Sequence, residues 1–296
     1  MTIEHYENFP VASLLLPAHL REPVRRIYCF ARTADDIADE GDAGAEERRN
    51  QLQAYRQAIL RIQENKAPVD AESSLAGIFL PLADVIRQHN LSCEPFLDLL
   101  SAFSQDVSTK RYDDSDALLD YCNRSANPVG RLMLALYDRL DERNIRDADA
   151  ICSGLQLSNF WQDVAIDWHK DRVYIPQSAL QAHGLTDQYI QARVQGESVL
   201  PSETAAWHSL MQAQVQQTRA MLISGAPLAW RLPGRIGLEL RLVVHGGLRI
   251  LERLDQVGYD MFAHRPKLGS RDRLLLLWRG LAGRRPQHRI SSVPHS

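Results

Sequence analysis

Two carboxylate pairs concentrate the chemistry that this chain could do. Asp35 and Asp39 stand four residues apart in the stretch 27–40, and Asp163 and Asp167 repeat that spacing in 157–168. At about 100° per residue, Tyr28, Arg32, Asp35 and Asp39 share one narrow helical stripe, with Asp36 at its edge. Ile27, Phe30, Ala34 and Ile37 take the other side. The second stretch aligns Asn159, Asp163 and Asp167, with Lys170 near the stripe if the helix continues, and sets Leu157, Trp161, Val164 and Trp168 behind it. Like charges at i and i+4 repel, at about 0.2–0.5 kcal/mol on an exposed helix and more beside apolar surface, unless a cation lies between them. Oxygen-only ligands one turn apart suit Mg2+, which takes one or two carboxylates and leaves its other positions to water and substrate phosphates. Either pair alone also reads as the solvated acidic edge of a surface helix. Two pairs of one design, each with a basic residue nearby, predict facing helices that hold magnesium and bind a diphosphate, which would leave as a metal-stabilised anion.

The elements that must position these residues read as helices joined by short breaks. Apolar periodicity predicts a first long helix whose start is bracketed by Pro17 and Pro23, then helices over 46–63, 75–89, 95–107, 116–140, 148–168, 177–183, 187–195, 203–223 and 237–258. Pro128 should break or kink the fifth of these, and the Gly246-Gly247 pair could let the last pack closely. No β-alternation, solenoid-period repeat or low-complexity linker is evident, which favours one all-α domain over 1–269, followed by a basic amphipathic helix and tail over 270–296.

Composition bounds the partners. The 296 residues are 45% hydrophobic and can bury a large core, and a net charge of −3 gives no basic field for nucleic acid. Cys29, Cys93, Cys122 and Cys152 form no CxxC pair and fit small buried thiols in a reducing, cytoplasmic setting. The ten histidines show no HExxH spacing, which points away from zinc, and His245 reads as a core or interface residue. No apolar run approaches the ~18 residues needed to span a bilayer, and no signal or transit peptide is visible.

Four motifs, in order, resemble the squalene/phytoene synthase family from near the N-terminus to about Arg265. They are Tyr28-x-x-x-Arg32-x-x-Asp35-Asp36-x-x-Asp39; Tyr121-Cys122 with Ala126 and Val129-Gly130; Asn159-x-x-x-Asp163-x-x-x-Asp167 with Arg172-x-Tyr174-x-Pro176; and Gly258-Tyr259-Asp260 with Phe262 and Arg265. The resemblance implies an all-α isoprenoid-synthase bundle around a central apolar cavity, dependence on Mg2+, and ionisation of a prenyl diphosphate. It implies Asp35, Asp39, Asp163 and Asp167 as catalytic metal ligands with Asn159 beside them. Arg32, Lys170 and Arg172 are implied as diphosphate partners, and Tyr28, Phe9 and Tyr121 as substrate-side residues. Tyr259 and Phe262 are expected to close the cavity floor.

Departures from the family pattern narrow the reading. Gln162 stands where head-to-head synthases commonly carry arginine, Ala126-Asn127-Pro128 replaces an Ala-Gly segment, and the second motif is rich in Phe160, Trp161 and Trp168. With the opening Glu7-Asn8-Phe9-Pro10-Val11-Ala12-Ser13, these resemble the hydroxysqualene-forming branch of bacterial hopanoid biosynthesis. That branch takes presqualene diphosphate, rearranges the cyclopropylcarbinyl cation and quenches it with water. A hydride quench would need a nicotinamide cofactor, and no GxGxxG turn follows a strand. Asn127 is a candidate for holding the water, or Asn127-Pro128 merely starts a helix. Other head-to-head reactions, starting from farnesyl diphosphate, remain the alternative. A non-catalytic assembly member is a further one, although such members tend to lose the aspartates. The basic stretch 265–289, with Leu274-Leu275-Leu276-Leu277-Trp278, reads either as a peripheral membrane contact or as a docked helix with a solvated tail. Other enzymes of squalene synthesis are possible partners.

Overall fold

The apolar periodicity is realised as helices throughout. The computed structural model describes residues 16–282 and residue 286. Among these run α1 (Arg21–Asp39), α2 (Ala45–Gln63), α3 (Ala76–Gln88), α4 (Glu94–Asp106), α5 (Ser115–Ser125), α6 (Asn127–Leu136) and α7 (Glu142–Gln162). The chain continues through α8 (Val164–His169), α9 (Gln177–Ala182), α10 (Asp187–Val194), α11 (Pro201–Gly225), α12 (Leu228–Arg231), α13 (Gly234–Gln256) and α14 (Ser270–Leu281). α1 buries Val24, Ile27, Phe30, Ala34 and Ala38 along one side, and its Pro23 falls in the first turn, where no intrahelical acceptor waits for an N–H. α5 and α7 start at carboxylate caps: Asp114 accepts from the Ala117 N–H and Asp141 from the Asn144 N–H, both at 2.9 Å.

Two expected helices differ from the sequence reading. The one expected over 116–140 is two, because Pro128 sits in the first turn of α6, where proline is tolerated, and the chain breaks at Ala126. The one expected over 148–168 begins earlier, behind the Asp141 cap, and is interrupted at Asp163, whose φ of −109° and ψ of 14° separate α7 from α8. Neither proline nor glycine lies at that interruption. The side chains on it, Gln162 and Asp163, are instead held by residues 265–266.

The core has two halves. One packs α1 to α4 around Phe30, whose ring lies 6.0, 5.9 and 5.4 Å from those of Tyr55, Phe79 and Phe96. The other packs α5, α7, α11 and α13 around Trp161, whose indole N–H donates to Thr218 at 2.8 Å. α6 joins them, giving Leu132 and Leu136 to the first half and Leu134 to the second. Gly247 lets α13 approach α7: a Cβ there would lie 2.7 Å from Leu155 Cδ2, whereas one at Gly246 would meet nothing closer than 4.0 Å. No strand forms among the described residues, but the loops after α4 and α8 run side by side, with a bridge between Arg111 and Val173 and the Val173 N–H donating to the Lys110 carbonyl at 3.0 Å. This pairing fixes Arg172 and Tyr174. α14 docks on α13 through buried Asp272, which accepts from Arg249 (2.7 Å) and Arg253 (2.9 Å) and caps its own helix at the Gly269 N–H. All four cysteines are free thiols. No helix among the described residues is long and apolar enough to cross a membrane.

Candidate active site

Asp35 and Asp39 project from the last turn and a half of unbroken α1, and the two face different surroundings. Arg172 donates from both Nη atoms to the two oxygens of Asp39, with Lys170 Nζ 3.7 Å away. Against the desolvation of partial burial, these bonds and charges hold Asp39 below the usual carboxylate range. Asp35 is pushed up to about 6 by burial and then by the Asp39 charge. Arg32 spans Asp36 at 2.6 Å, Glu40 at 2.8 Å and Asp35 at 3.4 Å. Tyr28 lies one turn before Arg32, half-buried. Lys170 does not extend the second stripe, because α8 ends at His169, and it turns to Asp39 instead.

Around Asp39 a cleft of about 350 Å³ is lined by Arg48, Lys110, Lys170 and Arg172. Four cations against one carboxylate make it a receptor for a multiply charged anion. Beneath it, Lys110 Nζ donates to the Asp106 carbonyl at 2.8 Å, and the Tyr121 hydroxyl donates to the buried Asp106 carboxylate at 2.8 Å. Burial pushes Asp106 up to about 7. Tyr121 opens an aromatic group in which the Phe160 and Tyr174 rings stack at 3.6 Å, with Tyr112 and Tyr121 at 5.8 and 6.1 Å from Tyr174. Burial keeps the Tyr121 and Tyr174 phenols far above their ordinary range, so both are neutral.

The second stripe is clamped from the C-terminal side. Arg265 donates to both oxygens of Asp163, at 2.5 and 3.0 Å, and Gln162 Nε2 donates to the Pro266 carbonyl at 2.5 Å. Asp167 is pushed up to about 7, by burial and then by Asp163. Asn159 is half-buried one turn before Asp163. Further down α7, Cys152 and Leu155 line a narrow apolar cavity of about 130 Å³ with Met133, Leu228, Leu240 and Val243.

Among the described residues no three Asp, Glu, His or Cys side chains stand ready-made around a metal. The donor set nevertheless fits magnesium, which needs only one or two carboxylates beside a phosphate-bearing ligand. Asp35 and Asp167 are each raised by burial and by a neighbouring carboxylate, and a divalent cation relieves both effects.

Several residues take places other than those expected. Asn127 is buried where α6 begins: its Oδ1 accepts from Ser153 at 2.9 Å and its Nδ2 donates to Asn123 at 3.2 Å. The carboxamide thus ties α5, α6 and α7 together at the start of α6. Tyr259 and Phe262 do not line the apolar cavity. They pack on Trp207, whose N–H donates to the Tyr259 carbonyl at 2.9 Å, with Phe262 at 5.2 Å ring to ring. His245, by contrast, is buried as expected. Phe9 lies outside the described residues. Asp106, Lys110 and Arg48 escaped the sequence reading. Asp106 did leave a signal, a carboxylate at the next position of the buried stripe Phe96, Leu99, Phe103. Lys110 and Arg48 left none.

Comparison with known proteins agrees with this architecture. The profile of the squalene/phytoene synthase family matches residues 3–272. The hydroxysqualene synthase of Rhodopseudomonas palustris is 32% identical over 250 residues, 84% of this chain and 79% of its own. The phytoene synthase of Thermus thermophilus is 30% identical over 275 residues, 92% of this chain and 87% of its own. The crystal structure of squalene synthase HpnC from Alicyclobacillus acidocaldarius superposes with a TM-score of 0.75 at 34% identity, covering 86% of this chain and 90% of that one. Aspartate stripes, basic cleft, all-α fold and profile agree: the chain belongs to the squalene/phytoene synthase family.

Proposed function

We propose that this prenyl synthase uses magnesium to ionise presqualene diphosphate, lets the cyclopropylcarbinyl cation rearrange, and captures it with water to give hydroxysqualene and diphosphate. The observation that carries the reading is the cleft in which Arg172, Lys170, Lys110 and Arg48 surround Asp39 beside the aromatic group. Arg172 and the two lysines offer charge-assisted donors to phosphate oxygens. Magnesium, held by Asp35, Asp39, Asp163 and Asp167 with Asn159 beside them, would neutralise the departing diphosphate. Once the carbon–oxygen bond breaks, the electron pair leaves with the diphosphate and the positive charge stays on carbon. The rings of Tyr121, Phe160 and Tyr174 supply π-faces for such a charge, each worth about 0.5–2 kcal/mol. Neutral phenols are also poor nucleophiles, so Tyr121 and Tyr174 can stand near the cation without trapping it.

The hydroxysqualene synthase relative supports this product. So does Gln162, whose neutral amide is engaged by Pro266 where related head-to-head synthases commonly carry a cation. The phytoene synthase relative, matched over 92% of this chain, favours a second reading, condensation of two prenyl diphosphates. Incubation with magnesium and presqualene diphosphate, and separately with farnesyl diphosphate, distinguishes them by product. Hydroxysqualene from presqualene diphosphate is expected. Turnover of farnesyl diphosphate alone would replace the first reading with the second.

A further inference from the structure

α14 uses both sides of its circumference. Asp272, Leu276 and Gly280 face inward, with Gly280 against Leu242 of α13. On the opposite side Leu274, Leu277, Trp278 and Leu281 are 70%, 49%, 61% and 71% exposed. Their i, i+3, i+4, i+7 spacing gathers them into one continuous apolar stripe about 100° wide. Single exposed apolar residues need no explanation, but four on one face of one helix do.

The edges of the stripe indicate what covers it. At about 100° per residue, exposed Arg273 falls on one border and exposed Arg271 on the other. A stripe of leucine and tryptophan flanked on both sides by arginine is the pattern of a helix lying in a bilayer interface, where the stems follow the apolar face and the guanidinium groups reach lipid phosphates. The chain beyond α14 adds Arg284, Arg285 and Arg289, cations that strengthen attraction to an anionic surface.

We infer that α14 seats the protein on an anionic lipid bilayer, with Leu274, Leu277, Trp278 and Leu281 inserted among the acyl chains and Arg271 and Arg273 on the headgroups. The clamp of Asp272 by Arg249 and Arg253 holds the helix against the body in the seated state, so binding requires no undocking. α14 contributes no residue to the basic cleft, so vesicle binding and turnover can fail independently.

The test is sedimentation of the full chain with phosphatidylcholine vesicles, with and without phosphatidylglycerol. Wild type should pellet with the anionic vesicles. A Leu274→Ser, Trp278→Ser, Leu281→Ser variant should lose about tenfold or more in partitioning. Arg271→Gln and Arg273→Gln should each cost about fivefold on anionic vesicles only, an effect that shrinks as salt is raised. Should the triple variant fold poorly, Trp278→Phe gives a second readout: wild-type tryptophan emission should shift to the blue on vesicle addition, and this variant should lack the shift. Wild type remaining in the supernatant, or a folded triple variant that partitions normally, would overturn the inference. So would a wild-type dimer in light scattering that the triple variant abolishes while vesicle binding is unchanged, since the face would then pair two copies.

Discussion

The two aspartate stripes share a spacing but not a backbone. Asp35 and Asp39 sit on uninterrupted α1, and the cation that meets Asp39 comes from the other half of the molecule, Arg172 in the loop after α8. Asp163 is the break between α7 and α8 and Asp167 lies within α8, and the cation that meets Asp163, Arg265, comes from the chain that follows α13. Arg172 is also the more deeply held: its side chain is 10% exposed, against 25% for Arg265. Equal spacing therefore conceals unequal roles. Arg172 ties the halves together across the cleft, whereas Arg265, with Gln162 on Pro266, secures the end of a helix within one half.

The largest effect should fall equally on both stripes. Asp39→Asn and Asp163→Asn should each lower kcat about 10²–10³-fold with presqualene diphosphate, the scale of losing one charge-stabilising group. If only one did so, the two stripes would not act as a single clamp. Stability should separate them. Arg172→Ala leaves Asp39 without its main partner and should cost about 3 kcal/mol in urea unfolding, whereas Arg265→Ala should cost about 1.5 kcal/mol. Equal losses would break the distinction between a tie across halves and a local clamp. Gln162→Leu should cost about 1 kcal/mol by stranding the Pro266 carbonyl, and the double variant with Arg265→Ala should lose less than the sum, because both hold one segment.

The smallest effect is a pH dependence beneath the cleft. Burial pushes Asp106 up to about 7, so the folded protein binds a proton that the unfolded chain releases near the ordinary value of 3.8. The stabilisation is complete below the unfolded value and is lost as pH rises through the folded one. Wild type should therefore lose Tm relative to Asp106→Asn as pH rises from about 4 to about 7. Parallel melting curves would mean that Arg172 keeps Asp106 ionised.

Much of the site was legible because helical spacing is local. The stripe of Tyr28, Arg32, Asp35 and Asp39 follows from 3.6 residues per turn, and α1 forms as that stripe requires. The interruption at Asp163 was not legible, since no proline or glycine marks it and the residues holding it lie about a hundred positions away. The partners of Asn127 were not legible for a related reason: Ser153 and Asn123 lie on neighbouring helices. Lys110 and Arg48 are ordinary surface cations in the sequence: Lys110 joins the cleft because the loops after α4 and α8 run together, and Arg48 because it donates to the Ile37, Gly41 and Ala43 carbonyls around the end of α1.

The sequence by itself determined the all-α class, the two carboxylate stripes and the amphipathic α14, all of which rest on contacts within a few residues along the chain. Tertiary structure alone decided which cation meets which aspartate, that Asp106 is buried beneath the cleft, and which side of α14 stays uncovered. These depend on pairs such as Arg172 with Asp39 and Arg253 with Asp272, whose partners lie on separate elements. Periodicity tells which side chains share a face. Only the packing of one element on another tells what that face meets.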